Sequence, residues 1–233
     1  MRSLEIPTSK AKMRLLSAAE RLVSKKGFDA VSVRDVTQLA KANVAAVNYH
    51  FGSREGMMAL MIAMRMGPIQ EEQLLNLDLL EKKRGSKALP LEELLDGWLR
   101  PLLGDASVTS GSESIEHRSI ARILMLPPEM LPNPVSEAFS VLWKRYLKAF
   151  SKCLKDITPE EVVWRLHLLN GMAIQSLMGD APIQAWAASL ADPSGSDHIL
   201  GRLLRLAAPM MREGGSQAEG SSSEKTPQGI FDF

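Results

Sequence analysis

The sequence predicts an all-α protein: a three-helix N-terminal unit containing a helix-turn-helix, followed by a larger helical bundle. Three observations carry this. Apolar residues recur at three- and four-residue intervals along most of the chain, and no stretch alternates with period two for long enough to build a sheet. Residues 32–51, SVRDVTQLAKANVAAVNYHF, read as two short helices on either side of a break at 41–43. Residues that start helices (Ser32, Pro90, Thr158) and glycines that stop them (Gly27, Gly179) punctuate the rest.

In chain order, residues 1–8 are expected to be a flexible arm containing Arg2. Over residues 9–25, Met13, Leu15, Leu16, Ala19, Leu22 and Val23 have helical spacing, and Lys25-Lys26-Gly27 reads as a basic last turn stopped by glycine. Ser32 suits an N-cap, because its hydroxyl can accept from an unpaired N–H of the first turn. Val33, Val36, Leu39 and Ala40 then fall on one face, with Arg34, Asp35, Gln38 and Lys41 elsewhere. The following short helix carries the small residues Ala45 and Ala46. Phe28, Val36, Leu39, Val47 and Phe51 are the expected core of this unit, residues 9–53.

Ser53 or Arg54 begins a long helix crowded with thioethers, Met57, Met58, Met61 and Met64, which fill irregular gaps and repack easily. Gly67-Pro68 predicts an interruption, since proline lacks a donor and crowds the preceding turn. A continuation at 69–80 and a polar connector at 81–89 follow. Pro90 opens a helix with the stripe Leu91, Leu94, Leu95, Trp98 and Leu99, ending near 101–104. Residues 105–114 read as a loop, 115–126 as a helix and 127–134, with four prolines, as irregular. Residues 135–154 form an amphipathic helix on Val135, Phe139, Leu142, Trp143, Tyr146 and Phe150. Thr158, Pro159 and Glu161 make a capping-box start to a helix running to Met178. A short helix at 182–190 and a last one at 196–211 complete a second domain, residues 54–212. Residues 213–233, rich in Gly, Ser, Gln, Glu and Lys, are expected to be a disordered tail.

The 233 residues are 45% hydrophobic, enough for a substantial core. The net charge is only +1 but unevenly placed. Residues 1–55 hold ten Lys/Arg against five Asp/Glu and the remainder 18 against 22, so a head of +5 sits on a body of −4. That asymmetry suits a nucleic-acid reader with a separate regulatory body, and equally a basic solvated face. Cys153 is alone, which excludes an intrachain disulfide and a four-cysteine zinc site. The N-terminus lacks a signal-peptide pattern, and no apolar run of about 18 residues supports a membrane span. The expected compartment is the cytoplasm.

Residues 39–61, LAKANVAAVNYHFGSREGMMALM, resemble the DNA-binding domain of the TetR family of transcriptional regulators. The matching features are Ala40, the turn 41–43, the short helix 44–48, the ending Tyr49-His50-Phe51 and the helix start Gly52-Ser53-Arg54-Glu55. The variant at 43–51, NVAAVNYHF, and residues 163–172, VWRLHLLNGM, are similar to the narrower subgroup of the fatty-acid-responsive repressor PsrA. The turn departs from the family: Lys41-Ala42 stands where Gly-Val is frequent. The resemblance implies a homodimeric regulator, most simply a repressor on a palindromic operator, joined through its last two long helices. It also implies an apolar effector, a fatty acid or acyl thioester.

Candidate contacts sort into those that position and those that specify. The resemblance places Tyr49, His50 and Arg54 against the DNA backbone, and the cap geometry of Ser32 aims its helix at another phosphate, with Arg34 exposed beside it. Base reading falls to Asn43, Ala45, Ala46 and Asn48: asparagine can bond bidentately to adenine, and an alanine methyl can meet a thymine methyl. Asn43 serves equally well as a helix cap, His50 could pack beneath the fourth helix, and Tyr49 could close the small core. In the body, Trp98, Met125, Trp143 and Tyr146 are candidates to line an effector pocket, as are Trp164, His167, Leu168 and Met172. Each also suits plain core. His117, Arg118 or Arg122 would receive a charged head group.

Catalysis is not expected. The histidines, 50, 117, 167 and 198, are widely separated, no HExxH, phosphate loop or GxSxG elbow occurs, and no metal or cofactor is implied. Glu113, Glu116 and His117 offer only a weak metal cluster. The rival reading is an all-helical ligand-binding or scaffold protein without sequence-specific DNA binding.

Overall fold

The computed structural model describes residues 9–103, 115–179 and 196–213. Residues 1–8, the loop within 104–114, the short helix expected at 182–190 and the expected tail after residue 213 lie outside the described residues. Within them the chain is helical without strands: α1 Lys10–Lys26, α2 Val33–Ala40, α3 Val44–Phe51, α4 Arg54–Arg84, α5 Leu91–Leu103, α6 Ile115–Leu124, α7 Asn133–Cys153, α8 Pro159–Met178 and α9 Ser196–Arg212. No helix among the described residues is long and apolar enough to cross a membrane.

The head is α1, α2, α3 and the start of α4. Gly27 at φ 79° ends α1, its N–H donating to the Val23 carbonyl. Leu15, Ala19, Val23, Phe28, Val31, Val36 and Val47 form the buried core. Leu39 does not join it and is 42% exposed, while Thr37 is buried. The reason is geometric. An eight-residue helix buries one stripe, here Val36, Thr37 and Ala40 with half-buried Val33, at the i, i+3, i+4, i+7 spacing that Leu39 falls outside. Phe51 is only half-buried, with the Lys12 Nζ 5.7 Å over its ring.

The spine is α4, 31 residues long and continuous through Pro68. The interruption expected at Gly67-Pro68 is absent, and the polar connector begins at Gly85 rather than at 81. Pro68 is exposed, so the carbonyl it leaves without a donor lies on the solvated side. On the buried side Met61, Ile62, Ala63 and Met66 continue into Ile69, Gln70, Gln73 and Leu77. Packing on both sides of the proline outweighs the lost bond.

Around this spine, α5 and α7 pack on α4, α1 packs on α6, α6 packs on α8, and α9 lies across α5 and α8. The proline-rich stretch is shorter than the sequence suggests: a 3-10 turn spans Pro128–Met130, and α7 already starts at Asn133 with Pro134 in its first turn. The α8 start makes half of the expected capping box. Thr158 Oγ1 accepts from the Glu161 N–H (3.3 Å), while the Glu161 carboxylate accepts from Arg165 (2.8 Å). Arg165 is buried and also donates to the Met210 and Met211 carbonyls, capping the end of α9 and tying the last two helices together.

Candidate nucleic-acid interface

Each short helix of the head is held at its start by its own side chains. Ser32 Oγ accepts from the Asp35 N–H (3.1 Å), and the Asp35 carboxylate accepts from the Ser32 N–H (3.0 Å), the Ser32 hydroxyl (2.8 Å) and Lys26 Nζ (2.9 Å). This reciprocal box pins α2 to the end of α1. The Lys26 ammonium, with the Ser32 donors behind it, holds the Asp35 carboxyl far below the ordinary carboxylate range. The turn that follows puts Lys41 in the left-handed region, φ 50° and ψ 52°, with its N–H and that of Ala42 donating back to α2 carbonyls. This is a site where glycine is favoured. The departure from Gly-Val is thus a strained lysine in the same turn.

Asn43 caps α3: its Oδ1 accepts from the Ala45 N–H at 3.0 Å. The carbonyl end of its side chain thus serves as the helix cap. Val47 is the one fully buried residue of α3 and anchors it, which turns Val44, Ala45, Asn48 and Tyr49 outward on a single face. Tyr49 is 85% exposed, so it does not close the core. His50 is half-buried, edge-on to Tyr49 and Phe51 with ring centroids 5.0 and 6.1 Å away. Ser32 and Arg34 are exposed at the start of α2.

Arg54 stands apart from the other expected backbone contacts. Its guanidinium donates to the Val31 carbonyl (2.9 Å) and the Phe28 carbonyl (2.5 Å), and lies 3.6 Å from Glu55. It staples the start of α4 to the α1–α2 turn, which removes it from the set reaching outward. Val44, 46% exposed in the first turn of α3, and the exposed Lys41 just before it are not among the residues that the sequence leads one to expect at DNA. The signal was present: 44, 45, 48 and 49 share a face at i, i+1, i+4, i+5.

Head and body are joined by a polar cluster centred on Glu20 of α1. Its carboxylate accepts from Arg65 Nε of α4 (2.7 Å) and Ser119 Oγ of α6 (2.9 Å), while Arg65 also reaches Glu116 at 3.3 Å. Arg122 extends toward the same end of the head, with Nη1 3.9 Å from where a Gly27 Cβ would stand. Its Nη1 thus lies by the carboxyl end of α1, while its Nε is buried without a hydrogen-bond partner among the described residues.

The effector candidates do not converge as a set. Trp98 and Tyr146 are buried together with half-buried Trp143, at ring separations of 4.9 Å (Trp98–Tyr146) and 6.0 Å (Trp98–Trp143). Trp98 Nε1–H donates to Asn170 Oδ1 (3.0 Å), Gln73 Nε2 donates to the Trp98 carbonyl (2.7 Å), and the Tyr146 hydroxyl donates to the Gln73 carbonyl (3.0 Å). Burial pushes the Tyr146 phenol well above its usual range, keeping it a neutral donor. Met172 is half-buried on α8 beside this core, and Arg118 is half-buried on α6. His117 Nε2 lies 2.8 Å from the Leu103 carbonyl, which can only accept, so that nitrogen carries the proton. Met125 is 60% exposed. Trp164, His167 and Leu168 point away from the core, because α8 already buries Val162, Leu166, Leu169 and Ala173 on its opposite face. Among the described residues no group of three or more His, Cys, Asp or Glu could hold a metal, and Glu113 lies outside them.

Residues 15–61 match the family model of bacterial regulatory proteins of the tetR family, and residues 97–210 match that of the tetracyclin-repressor-like C-terminal domain. The chain belongs to the TetR family. As such it is a DNA-binding transcriptional regulator and not an enzyme, and repression that responds to a ligand is the typical mode of TetR-family proteins. Solved structures of this family share the fold. The regulator PfmR of Thermus thermophilus has a TM-score of 0.51 at 15% identity over 83% of this chain and 96% of its own. NalD of Pseudomonas aeruginosa, the secondary repressor of the MexAB-OprM multidrug efflux pump, gives 0.52 at 21% over 86% and 96%. A TetR-like regulator from Rhodococcus sp. RHA1 gives 0.54 at 15% over 88% and 97%. No curated protein matches the sequence.

Proposed function

We propose that this TetR-family chain is a homodimeric repressor that holds a palindromic operator and releases it when an apolar effector binds the body. The observation that carries the DNA-reading half is the single outward face of α3, Val44, Ala45, Asn48 and Tyr49, on a helix capped by Asn43 and anchored by Val47. A short helix with small side chains can seat deeply in the major groove. Asn48, with Ala45 and Ala46, reads bases; Tyr49 and His50 meet the backbone, and Ser32 and Arg34 position α2. The division between a reading head, residues 9–53, and an effector and dimer body, residues 54–212, follows the same logic.

The effector is proposed to be a fatty acid or acyl thioester. Support comes from the resemblance of 43–51 and 163–172 to the acyl-responsive subgroup and from the Trp98–Trp143–Tyr146 cluster, whose buried donors and acceptors are already satisfied. A chain seated there needs only a coupling of about 1–3 kcal/mol to change operator affinity roughly 5- to 150-fold. Such a protein works in the cytoplasm, on the chromosome.

Selection of bound sequences from a random duplex pool, at two salt concentrations, tests this. The expected result is one enriched palindrome whose binding collapses in Asn48→Ala. Retention without an enriched motif would reduce the head to non-specific attraction, and no retention would leave a ligand-binding body without a DNA role.

A further inference from the structure

A cleft of about 350 Å³ opens where the α1–α2 turn, the first turns of α4 and the connector between α6 and α7 meet. This volume is at the lower end of the range for small-molecule pockets, about 300–1,000 Å³. Among the described residues, none of the aromatic residues of the body lines it. Its apolar part is Phe28, Met58, Ala59 and Ile62 from the head side, with Leu126 and Leu131 opposite. Met58 and Met130 also line it, and thioethers adapt to irregular hydrocarbon shapes.

The charges around this apolar lining are one-sided. Among the described residues, Asp29, Glu55 and Glu129 face the cleft against one cation, Arg54. Arg54 is already committed to two backbone carbonyls and to Glu55. Among the described residues Asp29 and Glu129 have no side-chain hydrogen bond or ion pair. An apolar slot with uncompensated carboxylates at its mouth favours a hydrocarbon body with a cationic head, and repels a carboxylate of the same shape.

We propose that this cleft is a second small-molecule site, distinct from the aromatic cluster of the body, and that it takes a small amphipathic amine. Phe28 and Asp29 belong to the head and residues 126–132 to the body, so an occupant touches both sides of the joint. Its affinity and the position of the head are therefore reciprocally linked. The proposal does not rest on the acyl reading of the body, and octanoate separates the two.

The test is calorimetric titration of the full chain with octyltrimethylammonium, octanol and octanoate, each below its micelle concentration. It is paired with NMR of carbon-13-labelled methionine methyls. The expected result is one octyltrimethylammonium per chain, bound more tightly than octanol, with the Met58 and Met130 methyls shifting. Asp29→Asn combined with Glu129→Gln should weaken that binding about fivefold or more, the effect of removing two partly exposed charges. Both residues are exposed, so an unchanged thermal melt verifies the fold. Cation binding that ignores both substitutions would overturn the proposal. So would equal binding of octanol, octanoate competing for the same site, or shifts confined to Met172 and Met178. Octanoate shifting Met172 without Met58 or Met130 would support the acyl reading and leave this one to the cation.

Discussion

At the scale of single residues, the head is governed by side chains that satisfy backbone groups, and this decides which of them remain to meet DNA. Asn43 spends its carbonyl on the Ala45 N–H. Asn43→Ala should cost about 1 kcal/mol of stability in urea melts, whereas Asn43→Ser, which keeps a capping oxygen, should restore it. Operator affinity should return with the cap. A folded Asn43→Ser that still fails to bind would assign Asn43 a base contact instead. Asp35 gives a pH prediction. Its folded pKa lies below the unfolded value of about 3.9, so its contribution to stability is complete above that pH. The contribution is lost as pH falls through the folded value. The stability gap between the natural chain and Asp35→Asn should hold from neutral pH to about 4 and shrink below it. A gap that does not change with pH in urea melts would show that the carboxylate is not the partner of Lys26.

At the scale of elements, the orientation of the recognition helix is set by a close backbone approach. A Cβ on Gly56 would lie 2.3 Å from the Phe51 carbonyl oxygen, so the first turn of α4 fits under the end of α3 only because that position has no side chain. Gly56→Ala should separate the two helices at a cost of about 1–3 kcal/mol, seen in urea melts. Operator affinity should fall by more than stability alone explains. Arg54 acts from the other side, its two carbonyl bonds fixing the start of α4 on the α1–α2 turn. Together the glycine and the arginine fix the start of α4 against α3 and the α1–α2 turn. The thioethers Met57, Met58 and Met61 are buried just beyond that contact.

At the scale of the whole molecule, α8 is apolar on two faces. One packs inward; the other leaves Val163, Trp164 and Leu168 exposed, with Leu206 exposed on neighbouring α9. A helix apolar all round belongs in an interior, and here a second copy would supply it. Leu168→Glu should therefore sediment as the 25.6 kDa monomer and lose most operator affinity, because one head covers one half-site. A Leu168→Glu chain that remains dimeric would move the interface off α8. The Glu20–Arg65–Glu116 cluster runs from α1 through α4 to α6. This gives the body a short polar route to the head of each copy.

Local chemistry determined much of this protein by itself. The caps at Ser32, Asn43 and Thr158, the stops at Gly27 and Gly179 and the limits of α8 depend on hydrogen bonds within a few residues, so they were legible in the sequence. The motif 39–61 was legible for the same reason. What failed was whatever depends on a distant partner. Leu39 looked like core because a sequence pattern does not say which stripe of a short helix meets its neighbours. Pro68 looked like a break because its local cost is plain, while the packing on α5 and α7 that overrides it is not. Arg54 looked like a phosphate ligand, but its partners, Phe28 and Val31, lie on another element. Trp164 and Leu168 had the composition of a pocket, and only the docking of α8 on α6 and α9 turned them outward. Residue type and spacing set the helices and the family; the sums of burial between elements remote in sequence, which only the tertiary structure contains, decided which side chains remain free to bind.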